Sequence, residues 1–333
     1  MSLRVFLVGD YRTGSGPANV TAEYKKRIEN VRVLRARSKP FRVLELLLKM
    51  PFCDVVLLSG HSGQNVYAIK IAHRLHKKAA FLMHGCVEHE NQINGVPDDY
   101  MTGIEREVLE KSDAIYAVST RFADWLKEHY PQYAEKTCAV PNGIDLIREA
   151  AEPSHKEAGN HTILSIGGGM IRKQIVYIAK AVMILREDPA FSDAELVVIG
   201  KEGKDTEAID AFPCVKDLGY VPTEKAMELL KNSALFVQNS CFETFGLAPM
   251  EALKMGASVL LSDQVGALEV FGETEEGDLI RNTKDPEEIA EKMKNLLLRP
   301  NRERLLATID TESVSWDKRC KMLMQKLQEL AEG

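Results

Sequence analysis

Short apolar runs alternate with helix-patterned stretches along nearly all of this 333-residue chain, and they do so in two series. The first series holds six candidate strands: Val5–Val8, Val31–Leu34, Val55–Leu58, Ala80–Met83, Ile115–Ser119 and Cys138–Val140. Between them lie helical patterns over Ala18–Ile28, Arg42–Lys49, Val66–Lys77, Ile104–Lys111 and Phe122–His129. Strand–helix alternation requires parallel sheets with crossover helices covering both faces. The polar stretch 146–160 breaks the rhythm. It then restarts with Thr162–Ile166, Leu196–Ile199, Asp217–Gly219, Leu235–Gln238, Ser258–Leu261 and Leu279–Arg281, and a long helical pattern follows Ser315-Trp316. These patterns predict an α/β protein of two Rossmann-like parallel-sheet domains, residues 1–148 and 158–316. The strand ends of the two are expected to face a cleft, where open α/β sheets bind ligands.

Composition narrows the class. No apolar stretch approaches the roughly 18 residues of a membrane span, and the chain enters a strand at once, so no secretory signal is expected. The six cysteines are scattered, without the spacing of a zinc or disulfide framework, which predicts buried thiols and a cytoplasmic protein. The net charge of −6 is uneven: residues 21–78 carry 13 Lys/Arg against 4 Asp/Glu. A basic face of this kind suits an anionic membrane surface, which would place the protein peripherally on the inner face of the membrane. A set of solvated helix faces is the alternative reading. No aromatic-studded basic module accompanies the charge, so no nucleic acid is expected.

Chemistry concentrates in Ser240–Ser262. Glu243 follows one candidate strand; Phe245, Gly246 and Leu247 are expected to form a helix N-terminus, and Glu251 lies on that helix. Such an N-terminus offers free N–H groups and a positive dipole end to a phosphate. Carboxylates accept from hydroxyls, so the pair suits a nucleotide-sugar. Two glutamates eight apart also occur on any solvated helix face.

The pattern Ser-x-x-Glu-x-Phe-Gly-Leu…Glu-Ala…Gly-Ala-Ser-Val resembles the signature of the retaining glycosyltransferases of family 4, which have the GT-B fold. Four further segments carry the resemblance: the first loop with Gly14 and Gly16, the strand-terminal His84-Gly85, the Pro141–Asp145 turn, and Gly167–Gln174. It implies that the last helix, 317–333, crosses back to the first domain. It implies a nucleotide-sugar donor and a sugar or other hydroxyl acceptor; the basic face at 21–78 suggests a lipid-linked acceptor, and hence bacterial surface polysaccharide or glycolipid synthesis. It implies that Lys173 neutralises the diphosphate leaving group together with an arginine whose place is taken here by Gly168, while Gln174 stands where the family has a glycine after the lysine. Arg172 stands near enough in sequence to replace that arginine.

The same resemblance implies that Gly14 and Gly16 approach the diphosphate, that Gly219 and Tyr220 hold the base, and that His84 lies near the reacting centre. Glu243 would orient the sugar and Glu251 the ribose. Catalysis would then be electrostatic stabilisation and positioning. No Asp-x-Asp stands at a strand end, so neither metal nor other cofactor is expected. A nucleotide-sugar epimerase or a noncatalytic partner subunit would share much of this pattern. A dehydrogenase is disfavoured, because neither glycine cluster has the dinucleotide fingerprint.

Overall fold

The computed structural model describes residues 2–36, 38–146 and 159–333. Most of the expected 146–160 connection, and Arg37 of the basic stretch, lie outside them. The chain forms two units. One comprises residues up to 92, 97–145 and 311–333; the other comprises 93–96 and 146–310.

The first unit is built on β1 (Val5–Gly9), β2 (Val31–Val33), β3 (Val55–Ser59), β4 (Lys78–Met83), β5 (Ala114–Ala117) and β6 (Thr137–Ala139). They pair in parallel in the order β2-β1-β3-β4-β5-β6. The five residues of β3 are all buried, as a central strand covered on both faces must be. Helices α1 (Gly16–Arg27), α2 (Lys39–Lys49), α3 (Gly63–Arg74), α4 (Val87–Asn94), α5 (Asp99–Lys111) and α6 (Thr120–His129) connect the strands. Several begin earlier than their apolar patterns suggest, because an N-cap fixes the first turn. Ser15, Ser62, Asp98 and Ser119 each accept a backbone N–H of the turn they start.

The second unit repeats the plan with β7 (Thr162–Ile166), β8 (Glu195–Ile199), β9 (Val215–Asp217), β10 (Leu235–Gln238), β11 (Ser258–Ser262) and β12 (Leu279–Ile280). Its parallel order is β12-β11-β10-β7-β8-β9. The helices are α7 (Ile175–Leu185), α8 (Thr206–Asp210), α9 (Thr223–Asn232), α10 (Ala248–Lys254), α11 (Pro286–Leu298) and α12 (Arg302–Thr308). Helices α7 and α11 cover one face, where Ile178, Val182, Ile289 and Met293 pack on Leu196, Leu235 and Leu260 of the sheet. From β7 the chain winds one way through β8 and β9, and from β10 the other way through β11 and β12. The β7–β10 pair is therefore the topological switch point, the place where open α/β sheets bind ligands.

Strand β9 lies two residues before its expected position. The Asp217 carboxylate accepts the Gly219 N–H at 2.7 Å, and Gly219 turns into the left-handed region at φ +60°, which ends the strand early.

After the second unit the chain returns to the first. Helix α13 (Trp316–Glu332), capped by Ser315, packs on α1, β3 and β4 and buries Leu323 and Leu327 fully. Each such leucine contributes about 1.5–3 kcal/mol of burial. Trp316 meets Tyr24 edge-on with ring centres 5.4 Å apart. Arg27 bridges Asp145 and Asp317 at 2.8 Å each. The Pro141-Asn142-Gly143 turn takes part for a reason composition alone does not reveal: a Cβ on Gly143 would stand 2.5 Å from Trp316 Cα.

Candidate functional site

At the switch point of the second unit, the loops leaving β7 and β8 touch backbone to backbone. The N–H groups of Gly167 and Gly168 both donate to Ile199 O, at 2.8 and 3.1 Å, and Gly169 donates to Lys201 O at 3.2 Å. Gly168 has φ +53°, and a Cβ there would lie 2.1 Å from Lys201 O. Glycine is required on both counts. The position at which the family pattern places an arginine thus admits no side chain in this backbone.

The following turn, 171–173, carries Arg172 and Lys173 to a shared partner. Lys173 Nζ is ion-paired with Glu243 Oε2, and Arg172 Nη1 lies 3.3 Å from the same oxygen and 3.2 Å from Phe242 O. Gln238 Nε2, at the end of β10, donates to that oxygen at 2.9 Å. All three charged side chains are less than 15% exposed. Burial works against a charged Glu243, but Lys173 and Arg172 outweigh it and lower its pKa to about 2. The carboxylate is therefore ionised throughout the neutral range. Gly246 is left-handed at φ +86°, and a Cβ there would lie 3.0 Å from Gln238 Nε2 and 3.1 Å from Glu243 Cγ. Among the described residues, Gln238 Oε1 and Ser240 Oγ are buried without a hydrogen-bond partner.

Gln174, standing where the family has glycine, adopts the left-handed conformation at φ +53° all the same. Its side chain donates to Ile171 O at 3.0 Å and Asn239 donates to its carbonyl at 3.3 Å, contacts that hold the strained residue in place.

The expected helix start at 245–247 is corrected. Helix α10 begins at Ala248 with Leu247 as its N-cap, because Gly246 is left-handed and Pro249 suits only a first turn. Phe245 is buried and its carbonyl accepts from the Ala267 N–H at 2.7 Å, so neither its side chain nor its carbonyl is left for a ligand. Glu251 sits half-buried on α10, its pKa raised by burial and eased by Lys254. Tyr220 is 69% exposed after β9, and a Cβ on Gly219 would meet open space.

In the first unit, Gly14 is left-handed at φ +73° with open space about it, and Gly16 is the first residue of α1. His84, half-buried at the end of β4, places Nε2 2.9 Å from Ser59 Oγ. Burial and then the neighbouring His61 lower its pKa to about 3, so its ring is neutral. His61 Nε2 meets Gly85 O at 2.9 Å and Glu105 Oε1 at 3.0 Å. Burial disfavours its charge, yet Glu105 prevails and its pKa is raised.

Glu105 escaped the sequence reading as a functional residue. Fully buried, it accepts the N–H groups of Val87 and Glu88 at 2.9 and 2.8 Å and so caps α4 from 17 residues away. The segment carrying Glu88, His89 and Glu90 is accordingly helical. No group of three His, Cys, Asp or Glu side chains gathers as a metal site would among the described residues.

A pair of Rossmann-like units with the terminal helix returned to the first defines the GT-B class. HepE of Anabaena, solved in complex with UDP and glucose, shares the fold with a TM-score of 0.72 over 98% of this chain and 100% of its own, at 13% identity. The family model described as Glycosyltransferase Family 4 matches residues 7–148, and that described as Glycosyl transferases group 1 matches 147–309. The chain belongs to this glycosyltransferase family. It is 26% identical over 285 residues to the D-inositol 3-phosphate glycosyltransferase of Rhodococcus opacus, covering 78% of this chain and 63% of that one. To the alpha-maltose-1-phosphate synthase of Mycolicibacterium smegmatis it is 25% identical over 227 residues, 60% of this chain and 58% of that protein. The chain thus spans about three-fifths of the length of these curated relatives.

Proposed function

We propose that the protein is a retaining, metal-independent glycosyltransferase that moves a sugar from a nucleotide-sugar to a hydroxyl acceptor. The observation carrying this reading is the convergence of Lys173 and Arg172 on Glu243 at the switch point of the second sheet. Two cations held beside backbone-lined glycine turns form a cradle for a diphosphate. Arg172 supplies the charge that Gly168 cannot. In this reading Glu243 orients sugar hydroxyls, Glu251 accepts from the ribose, and Gly219 with Tyr220 receives the base. The Gly14–Gly16 loop and the helix start near Gly246 and Leu247 add N–H donors to the phosphates, and His84 serves the reacting sugar. No side chain is asked to be a nucleophile or a metal ligand. The curated relatives are named for D-inositol 3-phosphate and alpha-maltose-1-phosphate, which supports a phosphorylated sugar or polyol as acceptor here, and a role in polysaccharide or glycolipid assembly is part of the same proposal.

A thermal-shift panel of UDP-, GDP- and ADP-sugars tests the donor. A ligand at 100 times its Kd stabilises the folded state by about 2.7 kcal/mol, so one nucleotide series should raise the melting temperature by several degrees, with or without chelator. If no series does, the donor site is misread. Conversion of donor alone to an isomeric nucleotide-sugar would favour the epimerase.

A peripheral membrane position rests on α2. Phe41, Leu44, Leu47, Leu48 and the following Phe52 are each at least half exposed, with Arg42 and Lys49 on the same helix and the Arg32 guanidinium 5.2 Å from the Phe52 ring centre. An apolar helix face bordered by cations suits an anionic lipid interface. Binding to vesicles containing phosphatidylglycerol should weaken with salt, and F41S/L48S should reduce it at least tenfold. Equal binding of wild type and variant would rule out insertion of this face, and indifference to all vesicles would remove the membrane altogether.

A further inference from the structure

A chain of three side chains behind His84 fixes where its ring proton sits. Thr21 Oγ1 lies 2.8 Å from Pro17 O and 2.7 Å from Ser59 Oγ, and Ser59 Oγ lies 2.9 Å from His84 Nε2. Thr21 and Ser59 are buried, at 1% and 5% exposure, so no contact in the relay can be left without a proton cheaply. A backbone carbonyl can only accept, and each hydroxyl has one proton to give. Thr21 must therefore donate to Pro17 O. Its oxygen then accepts from Ser59, whose own oxygen is left to accept from His84. The reverse direction would set the lone pairs of Thr21 Oγ1 and Pro17 O against each other at 2.8 Å.

From this bookkeeping we infer that Thr21 and Ser59 are positioning residues that hold His84 as its Nε2–H tautomer, making Nδ1 the ring's acceptor. Because the ring is neutral, it carries a single proton and the choice of tautomer is a real one. A hydroxyl brought to this histidine would donate to Nδ1, so the relay selects ligands by hydrogen-bond polarity. The inference rests on the proposed role of His84 only where it speaks of turnover; the tautomer itself follows from the relay.

Nitrogen-15 spectra of histidine-labelled protein at neutral pH test it, with His84 assigned by comparison with His84→Gln. Wild type should show a protonated Nε2 and an unprotonated Nδ1. Thr21→Ser, which keeps the hydroxyl, should show the same. Thr21→Val removes the acceptor for Ser59, which then donates to His84 Nε2 and turns the ring to the Nδ1–H form. Turnover with a nucleotide-sugar should fall at least tenfold in Thr21→Val and be retained in Thr21→Ser. A wild-type Nδ1–H ring, or an unchanged tautomer in Thr21→Val, would overturn the relay. A reversed tautomer with unchanged turnover would overturn its positioning role. If wild type transfers no sugar while the tautomers come out as stated, glycosyl transfer is the reading that fails and the relay stands.

Discussion

Gly168→Ala should lower the melting transition of the second unit by roughly 10 °C. Two costs add. The left-handed backbone at φ +53° disfavours any L-residue with a Cβ by about 1–2 kcal/mol. The new methyl carbon would lie 2.1 Å from Lys201 O and 2.9 Å from two neighbouring backbone carbons, and backbone cannot swing aside as a flexible side chain can. Overpacking of this kind costs about 1–3 kcal/mol or more. Together they approach 4 kcal/mol, and at about 2–4 °C per kcal/mol for a unit of this size the shift is large. Gly219→Ala separates the two terms. It has the same left-handed backbone at φ +60° but open space around it, so it should lose only about 1 kcal/mol. Gly168→Arg, which restores the family's residue, should be worse than alanine. A Gly168→Ala protein melting like wild type, or a folded and more active Gly168→Arg, would show that the β7 and β8 loops are not locked together.

That position also marks the limit of what the sequence displays. The buried strands were legible because a buried parallel strand such as β3 or β11 is a short continuous apolar run, a local property, whereas the partly exposed β9 was placed two residues too late. The return of the terminal helix was foreseen from the family likeness, and Arg27, Tyr24 and Trp316 give it its physical basis. The features missed depend on distant partners. Helix α4 buries no residue and shows no apolar stripe, and its cap comes from Glu105 on another helix. The need for glycine at 168 arises from the β8 loop more than 30 residues away. The start of α10 depended on one left-handed glycine, Gly246, which apolar periodicity does not reveal. In the site itself, residue types were legible but the sharing of one carboxylate oxygen by Lys173, Arg172 and Gln238 was not.

That shared oxygen separates the roles of the two charges, and Lys173→Ala with Glu243→Gln should show it. Lys173→Ala removes a charge-assisted donor from the proposed leaving group, and loss of one such preorganised donor typically costs 10²–10³ in kcat. Nucleoside diphosphate binding should weaken in the same variant. Glu243→Gln acts in the opposite sense on binding. It releases Lys173 and Arg172 from a competing anion, so the free diphosphate should bind as tightly as before or tighter, while transfer falls because the sugar loses its charged acceptor. The two variants thus diverge in affinity and agree in lost turnover, a pattern that a purely structural salt bridge would not produce. The acid limb of stability provides an independent check. Glu243 has a folded-state pKa lowered to about 2 from an ordinary 4.5, so its contribution is complete above about 4.5 and is lost as pH falls towards 2. Glu243→Gln should therefore flatten the fall in stability across that window. If Glu243→Gln leaves transfer at the wild-type rate, Glu243 does not hold the sugar, and the noncatalytic-subunit reading of the chain gains what the transferase reading loses.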